Sequence, residues 1–588
     1  MYLGINLGHD SSVAITDESG VVLHAISEER LSRIKIHTGI PVKAIELLGR
    51  YHNLYEIKNV VIGNNKTLRP ELLRRMLADL EYPMYRKSGL NQPVNPGLPI
   101  PTEQTKIHEN FFVAIKKLLG DSKNIFMPKH HDSHLGCAIG VANIGKSALL
   151  LSLDGKGDGE SGAVSSMNND EKSSSSSYTE HARFPTLDSL GLLYSAVTQA
   201  YNFQPGNHEG KITGLAAYGS YSEAVDVLLK YVTVLNGIPT INQVKGFKER
   251  FLRRSLNRVG LGKFAAKSLE EIVSIAESKT FNYPDLAFAI QTVLEKSVIE
   301  IVTHWQKKLS CETLALTGGV FANVKLNQKL SELELFHDVR IFPNMGDGGI
   351  ALGGIWFELY KTGRLSKSTL FNNMFLAPDL NSDDNIFFEK ILAEKNLNLE
   401  KIKSEDLATH IALLLSKGQI GSIHKGKMEF GPRALCNRSI LADPRNNNIN
   451  VQLNERLKRT EFMPFAPAVK QERFTDYFEI SSSQSIFPFK FMTMTCNVKP
   501  EFAKKFPAVV HIDGTARPQI IDKSEDKIMW EILDEFEKLS GVGILVNTSF
   551  NMHEEPINYR LEDSIEALRK KAVDFLIYNN YLIKNNEF

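Results

Sequence analysis

Two histidines four residues apart open the segment Pro128-Lys129-His130-His131-Asp132-Ser133-His134, and the apolar run through residues 135–143 reads as the helix that carries them. Positions i and i+4 share a helix face, so His130 and His134 can present two imidazoles to one divalent ion while His131 points elsewhere. Sixteen histidines in 588 residues supply about 0.4 such pairs by chance, so the spacing needs further ligands before it means a metal. Two carboxylates stand where α/β proteins gather ligands, at the C-terminal ends of predicted strands: Asp154 closes LLLSLD, and Asp347 follows VRIF within NMGDGG. Two imidazoles with carboxylate suit Fe(II), Mn or Zn better than Ca or Mg, with a position left for substrate.

Glycine-rich turns form a second group. Thr317-Gly318-Gly319-Val320, followed by Asn323, reads as a strand-to-helix turn whose bare amides can approach phosphate oxygens. Residues 154–159 (DGKGDG) and 346–349 (GDGG) add two more acid-plus-glycine loops. The combination resembles the sugar kinase, heat-shock protein and actin superfamily, in which such loops hold a nucleotide between two halves. A third group is basic: KGKMEFGPRALCNRS at 425–439 with Asp443-Pro444-Arg445, then Lys458, Arg459 and Glu461 before MPFAP, then His511, Asp513 and Arg517 in HIDGTAR, then Asn547 to Asn551 in NTSFN. Arginines concentrated in Gly/Pro loops offer forked donors for phosphate or carboxylate, against the plainer reading of solvated loops or structural ion pairs.

The elements that must position these groups follow from periodicity. Short apolar runs at 2–7, 12–16 and 21–27, broken by Gly, Asp and Ser, predict an antiparallel meander. Runs at 59–63, 148–153, 313–317 and 339–342 predict strands, with a long helix over 283–308, an alternation that indicates an α/β fold. GINLGHDSS and LLLSLDGKGDGES can begin two similar halves. Residues 168–178 read as a polar hairpin tip, and the turn-rich stretch 362–383 as a boundary between domains. Beyond it a helix is expected at 404–416, a strand at 419–424 and a closing strand at 541–547. Length alone argues for more than one domain.

Composition excludes several classes. Lys plus Arg is 69 and Asp plus Glu 68, a net charge of +1, which disfavours nucleic acid or anionic membrane as the main partner. Four cysteines without a C-x-x-C pair argue for a reducing, cytoplasmic protein. No basic leader and no long apolar run predict secretion or membrane spanning.

GINLGHDSS, SEERLSR, KHHDSHLGCA, LDGKGDG, NHEGKITGLAAYG, LTGGVFAN and GDGGIALG, then GKMEFGPRALCNRSILADPR, EFMPFAPAV, HIDGTARPQ and VNTSFNMHEEPI, occur in one order along nearly the whole chain. On these motifs the sequence is identified as resembling the O-carbamoyltransferases of nodulation factor, tobramycin, cephalosporin and ansamycin biosynthesis. The resemblance implies an N-terminal actin-like domain (1–365), similar to the tRNA threonylcarbamoyl transferases, a linker (366–383) and a C-terminal YrdC-like domain (384–588). It implies that the second domain makes carbamoyladenylate from carbamoyl phosphate and ATP with Mg, and that the first passes the carbamoyl group to an acceptor hydroxyl with Fe(II) or a similar ion. On that basis His130, His134 and Asp347 would be metal ligands with Asp154 a further ligand or water-mediated contact, and His9 the base with Lys35 also catalytic. Glu209, Gly210, Lys211, Gly318, Gly319 and Asn323 would contact the adenylate. Arg433, Arg438, Arg445, Lys458, Arg517, Ser549 and Asn551 would bind ATP and carbamoyl phosphate. Four positions depart from the family pattern: Thr213 for Met, Lys427 for Arg, Cys436 for Gly and His553 for Gly. Cys436 implies a backbone that does not need positive φ there. Acceptor contacts are expected from variable loops near residues 86–105; the acceptor and the oligomeric state are not legible. The competing readings are a kinase or ATPase of the actin-like superfamily, a tRNA-modifying enzyme, and a catalytically inactive nucleotide-binding protein.

Overall fold

Three strands form where the short apolar runs predict them: β1 (Tyr2–Asn6), β2 (Ser12–Thr16) and β3 (Val22–Ser27). With β4 (Asn59–Ile62) and β5 (Asn124–Phe126) they make a sheet of order β3-β2-β1-β4-β5, antiparallel from β3 to β1 and parallel from β1 to β5. The computed structural model describes residues 1–63, 123–142, 146–169, 176–241, 281–366, 371, 373–392, 396–459 and 463–585. The expected acceptor loop at 86–105, the tip of the hairpin at 170–175 and Glu461 lie outside those residues.

A second sheet repeats the first. Strands β6 (Ala148–Gly157), β7 (Glu160–Asn169) and β8 (Ser176–Pro185) form a meander. A small hairpin, β9 (Val232–Leu235) and β10 (Ile238–Ile241), stands apart, and β11 (Thr313–Thr317) and β12 (Asp338–Ile341) complete the sheet. Its order β8-β7-β6-β11-β12 has the same senses, antiparallel then parallel, as β3-β2-β1-β4-β5. The two halves expected from the repeated strand-plus-acid units are therefore present as two copies of one topology.

Between the sheets lie two helices, His130–Val141 against β6 and β11, and Ile350–Lys361 against β1, β2 and β4. They approach closely because glycine faces backbone: a Cβ on Gly136 would stand 1.8 Å from the Gly353 carbonyl oxygen. Leu150 and Ala315 from one sheet, Ala14 and Val61 from the other, and Leu135 and Trp356 from the helices share one buried cluster. The N-terminal ends of these two helices carry His130 and Asp347, so the packing that closes this core also sets the site.

Residues 397–585 supply a mixed eight-stranded sheet of order β13-β23-β22-β14-β15-β21-β16-β20. Its members are β13 (Leu397–Lys401), β14 (Gly421–His424), β15 (Arg438–Ala442), β16 (Ala466–Lys470), β20 (Gln519–Ile521), β21 (Ile544–Ser549), β22 (Phe575–Tyr578) and β23 (Tyr581–Asn585). A side sheet holds β17 (Phe478–Glu479), β18 (Cys496–Val498) and β19 (Thr515–Ala516). The strand expected to close the fold does not: β21 lies inside the sheet between β15 and β16, and the helix Leu561–Arg569 and the hairpin β22-β23 follow it. That hairpin turns at Asn579-Asn580, with Asn579 at φ 51°, a turn signal the sequence reading did not use.

The stretch expected as a linker is packed. Leu376 O accepts from Ala25 N, Met374 O accepts from Phe430 N, and the helix Asn381–Ile391 begins before residue 384. Its apolar members, Phe371, Met374 and Leu376, are buried, which a count of polar residues cannot reveal. All four cysteines are buried free thiols, and among the described residues no helix is long and apolar enough to cross a membrane.

Candidate metal centre and anion cavity

His130 stands at the first position of its helix, whose free N-terminal amide is taken up by Asp158: His130 N donates to Asp158 Oδ2 at 2.8 Å. One turn later comes His134, and the two Nε2 atoms lie 3.2 Å apart. Asp154, near the end of β6, places Oδ2 3.3 Å from His130 Nε2 and 3.2 Å from His134 Nε2; Asp347 Oδ1 is 3.4 Å from each. All four ligand atoms fall within 4.8 Å of one another. Gly157 is required beside them, since a Cβ there would stand 2.0 Å from His130 Cδ2. Both histidines are fully buried, and Asp154 Oδ1 is turned away by the Gly155 amide at 2.7 Å.

Two buried imidazoles converging edge-on with two carboxylates is a donor set for one transition-type divalent cation, and the residues present fit it. Burial opposes charge on His134, but hydrogen bonds to Asp154 and Asp347 and their charges push its pKa up to about 9. Burial likewise opposes the Asp154 carboxylate, yet the two histidines hold it well below the usual range. A cation must displace the proton on His134, so apparent metal affinity should rise with pH and level off above about 9, releasing about one proton per ion near neutral pH. Calorimetry of Mn²⁺ binding in buffers of different ionisation heat measures that proton directly.

His9 lies in the turn after β1, about half exposed, with Nδ1 3.1 Å from Asp10 Oδ2. Burial lowers its pKa, but contact with Asp10 and the fields of Asp347 and Asp154 outweigh it and push it up to about 9. A cation at Asp154 and Asp347 would offset those two carboxylate fields and so favour the neutral ring that a base requires. Asn6, which sequence reasoning passed over, ties this turn to the metal loop: its Nδ2 donates to His9 O, Asp10 O and Asp347 O at 2.9, 3.1 and 2.9 Å.

A cavity of about 300 Å³ is walled from both ends of the chain, by Lys35, Gly210 and Lys211 on one side and Arg433, Arg517, Ser549 and Asn551 on the other. Arg433 and Arg517 are partly exposed on the cavity wall, desolvation lowers the pKa of both (Arg433 to about 10), and the charge of Arg433 lowers Arg517 further. Neither has an acidic partner among the described residues, and each Nε is buried without a hydrogen bond. Two guanidiniums in one cavity without acidic partners favour an anion between them.

Other expected contacts fall elsewhere. Lys458 is the exposed, left-handed cap (φ 56°) of the helix Ile449–Leu457 and does not line the cavity; its neighbour Arg459 does, donating to Ser549 Oγ at 3.2 Å and Asn551 Oδ1 at 3.1 Å. Arg438 is spent on backbone, reaching Lys425 O at 2.6 Å and Gly426 O at 3.2 Å, and Arg445 pairs with Asp443 at 2.6 Å. Glu209 accepts from Ser195 Oγ and Gly206 N. Asn323 caps the helix Val324–Glu332 and bonds Gln291, a cap worth about 1 kcal/mol. Gly318 (φ 95°) and Gly319 border the metal centre, where a Cβ on Gly319 would stand 2.9 Å from Asp154 Oδ1. Asn547, which the sequence grouped with Ser549 and Asn551 without giving it a role, also lines the cavity, with Oδ1 buried and unbonded.

The departures resolve individually. Cys436 has φ 75°, so the inference that its backbone avoids positive φ is overturned; the strain, about 1–2 kcal/mol, is set against its amide bond to Ser439 Oγ and a buried thiol donating to Gln519 Oε1. Thr213 bonds Tyr194 OH at 2.9 Å, Lys427 O accepts from Asn437 Nδ2 at 2.8 Å, and His553 lines the cavity.

The sequence model of the carbamoyltransferase N-terminus matches residues 1–356 and that of the carbamoyltransferase C-terminus residues 412–585. Nodulation protein NolNO of Sinorhizobium fredii is 30% identical over 98% of the chain and 79% of its own length, and nodulation protein U of Rhizobium tropici 32% identical over 41% of the chain and 38% of its own. Full-length HypF in its phosphate- and nucleotide-bound form resembles 61% of the chain and 46% of its own at 13% identity and a TM-score of 0.34. With both family models matched in order across the two regions that build the metal centre and the cavity, the chain belongs to the carbamoyltransferase family and is a carbamoyltransferase.

Proposed function

We propose that this carbamoyltransferase is ATP-dependent and works in two steps, with an actin-like region (1–365) and a YrdC-like region (384–588) joined through 366–383. In the first step water cleaves carbamoyl phosphate to carbamate and phosphate in the cavity, and the carbamate oxygen attacks the α-phosphate of ATP to give carbamoyladenylate and pyrophosphate; in the second the carbamoyl group passes to a hydroxyl of a small-molecule or saccharide acceptor, releasing AMP. The observation that carries the reading is the pair of partnerless arginines, Arg433 and Arg517, in a cavity that also receives Lys35 and Lys211. Such a site suits a substrate with several phosphates, and Arg459 keeps Ser549 and Asn551 oriented beside it. Carbamate is a poor electrophile, so activation as a mixed anhydride in an enclosed site precedes transfer.

His130, His134, Asp154 and Asp347 would hold the cation, Fe(II) or else Mn or Zn, which when bound supplies positive charge for the carbamoyl oxygen. His9 takes the acceptor proton, and Asn6 fixes its turn relative to Asp347. Gly319, where a Cβ would stand 2.9 Å from Asp154 Oδ1, leaves room for the adenylate to approach the metal centre. Pyrophosphate release from ATP that depends on carbamoyl phosphate tests the first step; its absence refutes the reading. For the second, His9→Asn is expected to keep pyrophosphate release and slow transfer from carbamoyladenylate by about 10²- to 10⁴-fold, the range for losing a positioned base. Near-normal transfer in a single-turnover assay removes His9 from the mechanism.

A further inference from the structure

Residues 430–437 form a loop with no strand of their own, so their amides need partners from side chains. Three amides at its far end, Leu435 N, Asn437 N and Arg438 N, all donate to one atom, Glu429 Oε1, at 2.7, 2.9 and 3.3 Å. Glu429 is 2% exposed, and its second oxygen, Oε2, is buried without a hydrogen bond. The carboxylate thus draws the loop into a ring, with Arg433 opposite the closure and facing the cavity. Outside the ring Arg30, also buried, donates to Gly431 O at 2.6 Å.

Arg433 has no acidic or hydrogen-bonded partner of its own among the described residues, so the loop backbone alone decides where its guanidinium sits. We infer that Glu429 is the positioning residue of the anion site: it acts through the loop, holding Arg433 on the cavity wall that it shares with Arg517. The inference rests on the proposed use of the cavity for polyphosphate.

The test compares the full-length wild type with Glu429→Ala, Glu429→Asp and Glu429→Gln by calorimetric binding of pyrophosphate, alongside Mn²⁺ binding and thermal melting. Glu429→Ala and Glu429→Asp, which cannot reach the three amides, are expected to weaken pyrophosphate binding at least about tenfold, as small misplacements of a binding group do. Mn²⁺ binding should stay as in the wild type. Glu429→Gln keeps an acceptor oxygen and puts its NH₂ where Oε2 has no donor to repel it, so it should bind within about threefold of wild type. Should Glu429→Ala not melt cooperatively, Glu429→Asp carries the comparison. Wild-type affinity in the Ala and Asp variants, an equal loss in Gln, or a parallel loss of Mn²⁺ binding overturns the inference, as does a wild type that binds no pyrophosphate. A wild type that binds pyrophosphate with this pattern yet releases none from ATP with carbamoyl phosphate refutes the proposed reaction and leaves the role of Glu429 standing.

Discussion

Replacing His130 and His134 together by Ala is expected to abolish carbamoyl transfer while leaving carbamoyl-phosphate-dependent pyrophosphate release intact. The two imidazoles supply half of the four converging ligand atoms, and removing them leaves two carboxylates, Asp347 buried and Asp154 partly so, 3.2–3.4 Å from the lost nitrogens. Such a pair cannot hold a transition-type cation at ordinary concentrations, because nitrogen donors provide most of the preference for it. The cavity with Arg433 and Arg517 is lined by none of the four ligands, so adenylation has no reason to fail. Metal content by elemental analysis should fall from about one ion per chain to a trace. Undiminished metal in the double variant would sink the assignment.

The second large effect separates two neighbouring cations. Arg433→Ala is expected to lower pyrophosphate release by about 10³-fold, in keeping with the 2–5 kcal/mol lost when one partner of a buried charge contact is truncated. Lys458→Ala should stay within about twofold of wild type, because an exposed lysine off the cavity wall contributes little. Carbamoyladenylate supplied to Arg433→Ala should still be consumed. Full activity in Arg433→Ala, or a comparable loss in Lys458→Ala, rejects the placement of the phosphates.

The metal ligands were legible because their signals are local. A pair at i and i+4 announces itself on a helix, and acids at strand ends follow the general placement of α/β ligands, so His130, His134, Asp154 and Asp347 needed no tertiary information. The choice between Lys458 and Arg459 was not legible, since it depends on a left-handed turn at the end of the helix Ile449–Leu457 that swings one side chain to solvent and the next inward. Arg438 and Arg445 read as phosphate ligands by composition, yet a guanidinium serves backbone carbonyls or a nearby Asp equally well, and only packing tells which. Asn6 and Glu429 escaped for the opposite reason: each bonds backbone atoms away from it in sequence, and backbone leaves no mark in a pattern of side chains.

The cavity draws Lys35 from the first forty residues and His553 and Glu554 from the last forty, and His208 of one wall approaches Glu554 of the other to 3.4 Å. Such a wall is built jointly. A change at Glu554 alters the surroundings of Lys35 and His208 at once, so a chimera that takes residue 35 from one parent and residue 554 from another carries mismatched halves of one binding surface even when every fold within it is sound.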